Sequence, residues 1–290
     1  MNDFFNALFF SPMPFLRYAM LLGIAGSIAF GIVGTWVVTR RLSSLAGAIS
    51  HSVLGGIGLA AYLRNACGIN WITPILGAMA AAVISAAIIA AARKYSRERE
   101  DAVINAVWAV GMAGGLLFLG ITPGYVDLEG YLFGNILLVT GSDLITVLIL
   151  DCAVIAAAMT FFHSIMLFSF DPEFAEMRGL KTNRIYFMML LITALTIVIM
   201  VNLIGIILVI ALLTLPAAAA GTIVRRWGTM MAAAAVLCMI FTGGGLAGSY
   251  LWNLPPGPVI VLFAALVYVA AVAGKRTVEK YLRKKQHRIE

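Results

Sequence analysis

From Ile185 to Val224 the chain runs for forty residues without an Asp, Glu, Lys, Arg or His. As one helix, at ~1.5 Å per residue, that run would reach about 60 Å, roughly twice the thickness of a bilayer's hydrocarbon. It must therefore fold back once, and Asn202-Leu203-Ile204-Gly205 offers the turn. A second uncharged block, Trp227 to Gly274, breaks in the same way within Ser249–Gly257, where Asn253, Pro255, Pro256 and Gly257 gather. Composition agrees: only 11% of the residues are charged, against about a quarter in soluble domains. The fold class is all-α, a polytopic integral membrane protein.

Extending the same reading along the chain predicts about nine spans, near 17–39, 45–63, 70–92, 102–121, 142–167, 184–201, 205–224, 228–248 and 258–274. One short segment dipping back without crossing would make eight. The basic residues test the alternation independently. Arg40-Arg41, the Arg93–Arg99 cluster, Arg178, Lys181, Arg184, Arg225-Arg226 and the tail from Lys275 share one side, and only Arg17 and Arg64 take the other. This positive-inside pattern places the C-terminus in the cytoplasm and the N-terminus outside. The net charge of +7 is thereby a topology signal, and no nucleic-acid partner follows from it.

A single transmembrane domain over residues 1–290 is expected, with a Phe-rich interfacial segment at 1–16 and a basic cytoplasmic tail at 275–290. Met1-Asn2-Asp3-Phe4-Phe5 has no basic leader of the kind that precedes a signal peptide. Cys67, Cys152 and Cys238 lie in separate segments, with neither disulfide nor structural-zinc spacing. No Gly-rich phosphate loop ending in Lys and Ser or Thr is present, so any ATP hydrolysis belongs to another chain. No His-Glu-x-x-His or paired acidic motif argues for an intramembrane enzyme.

Few residues within the spans can carry chemistry. Gly47, His51, Gly55 and Gly58 follow steps of four, four and three, so they share one helix face. Small residues there admit a close neighbour or leave room for a pathway, and an imidazole suits transition metals. The plainer alternative is a packed histidine bonded to a carbonyl. Asp151 lies eight residues after Asp143, about 12 Å deeper along the helix. Burying it costs on the order of 3 kcal/mol, which argues for a partner or a function. With an imidazole and the Cys152 thiol it makes a plausible transition-metal set; alternatively it ties helix to helix. His163 reads as interfacial and His287 as part of the solvated tail. Pro216 removes a helix hydrogen bond at mid-membrane, and Gly243-Gly244-Gly245 is a close-packing surface.

Outside the spans, Phe170–Leu180 predicts a short capped helix. Asp171 suits the N-cap, Pro172 the first turn, Glu173 the positive helix start and Gly179 a left-handed stop. Phe174 and Met177 give it a small apolar face beside Ala175. Either it connects two spans or it docks a cytoplasmic partner. The outer loop Thr122–Asn135 carries Asp127 and Glu129, which either meet a cation or a partner or are simply solvated.

Together these segments resemble the permease subunits of bacterial ABC importers for zinc, manganese and iron(II). The likeness rests on Arg40-Arg41-Leu42 with Ser50-His51-Ser52, Tyr131-Leu132-Phe133-Gly134-Asn135, and Phe170–Ala175 with Gly179-Leu180. Leu212–Ala218 and Leu254–Pro258 add to it, in the right order over nearly the whole chain. It implies an importer permease of the vitamin-B12 and metal type that does no covalent chemistry and holds no permanent cofactor. The implied cargo is Zn2+ or Mn2+. The implied partners are a cytoplasmic ATPase dimer, an extracytoplasmic metal-binding protein, a second permease copy and membrane lipid, in a bacterial cytoplasmic membrane. By the same resemblance His51 is a metal-pathway ligand and Asp171–Gly179 the ATPase-coupling helix. The family usually carries an aspartate four residues before the histidine, where this chain has Gly47. Asp151, with Cys152, is the expected replacement. The alternatives are a permease for an iron chelate or vitamin, and a secondary transporter without an ATPase.

Overall fold

The computed structural model describes residues 15–95, 100–124, 128–134 and 136–286, which form helices and turns with no strand among them. In chain order the helices are α1 (Phe15–Thr39), α2 (Ser43–Asn65), α3 (Pro74–Tyr95), α4 (Glu100–Ile121), α5 (Leu128–Phe133), α6 (Gly141–Phe170), α7 (Pro172–Met177), α8 (Thr182–Ile204), α9 (Ile206–Ile223), α10 (Trp227–Trp252) and α11 (Pro256–Gln286). A 3-10 turn, Ile136–Leu138, sits between α5 and α6. All but α5 and α7 are long and apolar enough to span a bilayer, so the nine expected spans are present among the described residues. The chain is a multi-pass membrane protein.

Both expected breaks fall where backbone chemistry puts them. α8 stops at Ile204, Gly205 takes φ +83°, and α9 starts one residue later. α10 ends at a left-handed Asn253, φ 52°, ahead of Pro255 and Pro256. Pro216 lies buried inside α9, and the helix runs through it. The interfacial segment expected at 1–16 falls mostly outside the described residues, and Phe15 and Leu16 already belong to α1. Beyond residue 274 the basic tail continues α11 as far as Gln286.

α1 and α2 form the centre, with α8 and α9 beside them, and α4 and α11 turn most of their residues outward. Trp36, Ile49, Leu54, Phe168, Tyr186, Ile197 and Phe241 are fully buried in this core. At one end of the bundle the Arg40 guanidinium lies 4.5 Å from the centroid of the Phe168 ring. Arg93 reaches the same ring at 5.0 Å and Tyr186 at 4.4 Å. Basic residues from the ends of α1 and α3 therefore meet at one end, as the charge alternation requires; each such cation–π contact is worth about 0.5–2 kcal/mol.

At the other end two glycines allow one backbone to lie on another. Gly134 has φ +67° and Gly205 φ +83°. A Cβ on Gly134 would stand 2.1 Å from the carbonyl carbon of Ile204, and one on Gly205 would stand 2.2 Å from the nitrogen of Gly134. This junction fixes α5 against the α8–α9 turn. Replacing either glycine by alanine is expected to cost roughly 3 kcal/mol, from left-handed strain and overpacking combined. Thermal unfolding in detergent checks this, with Gly120→Ala as the control: no atom lies within 4 Å of the Cβ it would add.

Candidate functional site

The face of α2 that carries His51 is packed against α4, and glycine makes the approach possible. A Cβ on Gly55 would sit 2.8 Å from the carbonyl oxygen of Gly111, and one on Gly58 would sit 2.7 Å from that of Gly115. On the adjoining face Gly56 and Gly77 bring α3 equally close, with a Cβ on Gly56 only 2.1 Å from the oxygen of Gly77. Backbones this close, without Leu or Ile between them, are how helices associate in a solvent as apolar as their own side chains. The small-residue surface expected on α2 is therefore a helix seam.

His51 lies in that seam, 8% exposed. Its ring stacks on Trp108 of α4, with centroids 4.9 Å apart and planes 14° from parallel. The indole also covers Gly47, where a Cβ would meet its Cζ3 at 3.1 Å. The Nδ1 of His51 is buried and has no hydrogen-bond partner among the described residues. The packed alternative required that ring to be satisfied by a carbonyl, and this nitrogen is not. A polar atom left so costs about 1–3 kcal/mol, an expense that points to a ligand or a function. Neighbouring hydroxyls do not compete for one: Ser50 Oγ donates to the carbonyl of Ala46 at 2.8 Å, and Ser52 Oγ to that of Ile49 at 2.7 Å.

The expected carboxylate partner goes elsewhere. Asp151 is 3% exposed and accepts a hydrogen bond at Oδ1 from the backbone N–H of Ala29, at 3.1 Å. Its helix α6 packs chiefly on α1 and α8, whereas α2 packs chiefly on α3 and α4. Asp151 thus ties α6 to the middle of α1, and the structure does not bring it to His51. Cys152, the next residue, is exposed. Among the described residues no three His, Cys, Asp or Glu side chains gather as a metal site. One carboxylate oxygen is held by a backbone amide, a partner with no side-chain signature, while Oδ2 is buried without a hydrogen-bond partner among the described residues. Thr140 caps the start of α6, its N–H donating to Asp143 Oδ2 at 2.9 Å, and Asp151 lies two turns further along the helix.

The short helix forms as its caps predict. Asp171 Oδ1 accepts from the N–H of Phe174 at 2.9 Å, and Pro172 opens α7. Gly179 closes it at φ +80°, with Leu180 N–H donating to Ala175 and Gly179 N–H to Glu176, the paired bonds of a Schellman stop. Ala175 is buried, Thr182 Oγ1 donates to Glu176 Oε1, and Phe174 and Met177 stay exposed. Glu173 lies in the first turn, as expected. Of the outer-loop residues, Asp127, Asn135 and the side chain of Glu129 lie outside the described residues.

A groove of about 780 Å³ runs between α3 and α4 over α2. Leu59, Ile84 and Val107 are typical of its lining and Ser52 and Ser85 its only hydroxyls, so it suits hydrocarbon better than an ion. Trp108 is the functional candidate that sequence reasoning misses. Its signal was present: Trp108, Gly111 and Gly115 step by three and four, the complement of the α2 face.

Residues 12–275 match the profile of a family described as the ABC 3 transport family. An uncharacterized membrane protein of a Synechocystis species is 37% identical over 90% of this chain and 91% of its own length. The manganese transport system membrane protein MntC of Listeria monocytogenes is 31% identical over 89% of each chain. Among solved structures, PsaBC from Streptococcus pneumoniae in complex with Fab superposes with a TM-score of 0.80 at 27% identity, covering 93% of this chain and 94% of that one.

Because Asp151 holds α1 through an oxygen that accepts a hydrogen bond, Asp151→Asn is expected to leave both folding and transport at wild-type levels, within about twofold. Uptake assays and thermal unfolding on that variant check this. A transport defect at unchanged stability would return the residue to the ion's route.

Proposed function

The chain belongs to the ABC 3 transport family, and from that premise we propose that it is the membrane-spanning permease of an ATP-driven importer for a divalent metal ion, zinc or manganese. The observation that carries the reading is the buried, unpartnered Nδ1 of His51 at the centre of the bundle. An imidazole is a good transient ligand for such an ion, and a site with few ligands releases its cargo. The name of the Listeria relative, a manganese transport protein, supports the substrate class.

In this reading the ion arrives from an extracytoplasmic binding protein and enters between two copies of the permease, each contributing one His51. Two cytoplasmic ATPases dock on α7, whose exposed Phe174 and Met177 form the contact, with Asp171, Pro172, Glu173, Ala175 and Gly179 keeping the helix in shape. ATP binding and hydrolysis there switch which side of the pathway is open. The permease performs no covalent step. The basic ends of the spans lie in the cytoplasm, the N-terminus lies outside, and the membrane is a bacterial inner membrane. Asp127, Glu129 and Asn135 belong to the outer face that receives the binding protein.

Two variants test the two halves. His51→Ala is expected to lower zinc and manganese uptake at least about tenfold with the amount of protein unchanged, the effect of losing a ligand worth about 1.4 kcal/mol or more. Uptake at the wild-type rate would remove His51 from the route. Phe174→Asp combined with Met177→Asp is expected to abolish co-purification of the ATPase while the permease still accumulates. Retention of the ATPase would exclude α7 as the contact.

A further inference from the structure

The indole of Trp108 does two things to His51 at once. It fixes the imidazole by stacking, with the planes 14° from parallel, and it occupies the space above Gly47, one turn earlier on the same face of α2. The lone pairs of an imidazole lie in the ring plane, so a flat stack restrains the ring without using the atoms that bind a metal. The second effect crowds the place where another ligand would stand. A carboxylate at position 47 would stand beside His51 as an i, i+4 oxygen–nitrogen pair. The ring crowds that position: a Cβ there would lie 3.1 Å from Cζ3, 3.4 Å from Cη2 and 3.5 Å from Cε3, so a side chain could enter only if the indole gave way by a few tenths of an ångström, and a carboxylate by more.

We propose that Trp108 is a specificity-determining residue of the His51 step, leaving it an imidazole and an aromatic wall in place of an imidazole–carboxylate pair, and so favouring zinc over manganese. Nitrogen ligands bind Zn2+ well above Mn2+ in the divalent series, while manganese is held best by oxygen. Neither Ser50 nor Ser52 offsets this, since each hydroxyl is already committed to a carbonyl of α2. Asp151 does not either, because its helix packs chiefly on α1 and α8 and not on α2. The inference rests on His51 being a ligand in transit.

The test compares zinc and manganese uptake in cells carrying the complete importer, with the permease as wild type, Trp108→Phe, Trp108→Ala, Gly47→Asp/Trp108→Ala and His51→Ala. Phenylalanine keeps a flat face, so Trp108→Phe is expected to hold the zinc-to-manganese ratio within about twofold. Trp108→Ala is expected to lower zinc uptake about fivefold or more at equal protein. The double variant, which frees the space and fills it with a carboxylate, is expected to move the ratio at least about tenfold toward manganese. An unchanged ratio in the double variant, where His51→Ala abolishes uptake, overturns the role of Trp108 and leaves the His51 reading intact. Wild-type uptake in His51→Ala overturns both. If the double variant does not accumulate, Trp108→Ala decides: unchanged zinc uptake overturns the proposal.

Discussion

Lipid offers no hydrogen bonds, so a helix in a bilayer gains little from burying one more leucine and much from close contact with another helix. In this protein such contacts line α1, where Gly34 admits the backbone of α9 at Leu213, and they line α2. Gly55 and Gly58 admit the backbone of α4 on one side, and Gly56 admits that of α3 on another. The hydroxyls within these spans turn back on their own helices, as Ser27 does to Gly23, Thr35 to Gly31 and Thr193 to Met189. They therefore satisfy themselves, and few reach across: Thr39 Oγ1 accepts from Trp227 Nε1 of α10 at 3.3 Å, and Thr182 Oγ1 donates to Glu176 of α7. Position along the chain is converted into position in space almost wholly by where side chains are small. His51 is buried because it shares the α2 seam with glycines, and a bulkier seam would push α4 away and leave the imidazole facing hydrocarbon.

The spans were legible because the properties that define them are global. Forty uncharged residues cannot be hidden by any local propensity, and the Gly205 break follows from bilayer thickness before any conformational preference is considered. The caps of α7 were legible for the opposite reason: Asp171, Pro172 and Gly179 act within a few residues of themselves. What charge cannot mark is where a helix stops. The lipid boundary falls near residue 274, but lysine and arginine are good helix formers, and α11 continues as far as Gln286.

The site was legible in part. An imidazole in an apolar span is rare enough to be noticed, and the three glycines correctly gave the face of α2 on which it lies. Asp151 is equally rare, but rarity says that a polar group has a partner without saying which. Here the partner is the amide of Ala29 on α1. Trp108 was missed because a tryptophan in a span ordinarily reads as packing. Its importance appears only when Gly47, 61 positions away in the sequence, is found beneath its ring.

α7 is short, yet it is unusually stiff for its length, stapled at the N-cap, at the Schellman stop and through Glu176 to Thr182. Thr182 opens α8, which packs directly on α2 and α3. A load applied to the exposed ring and thioether of α7 therefore meets no loose turn to unwind. It passes as a rigid displacement into a buried helix, and from there into the helix that bears the imidazole. A connector fastened in this way to the start of α8 is built like a crank on its shaft.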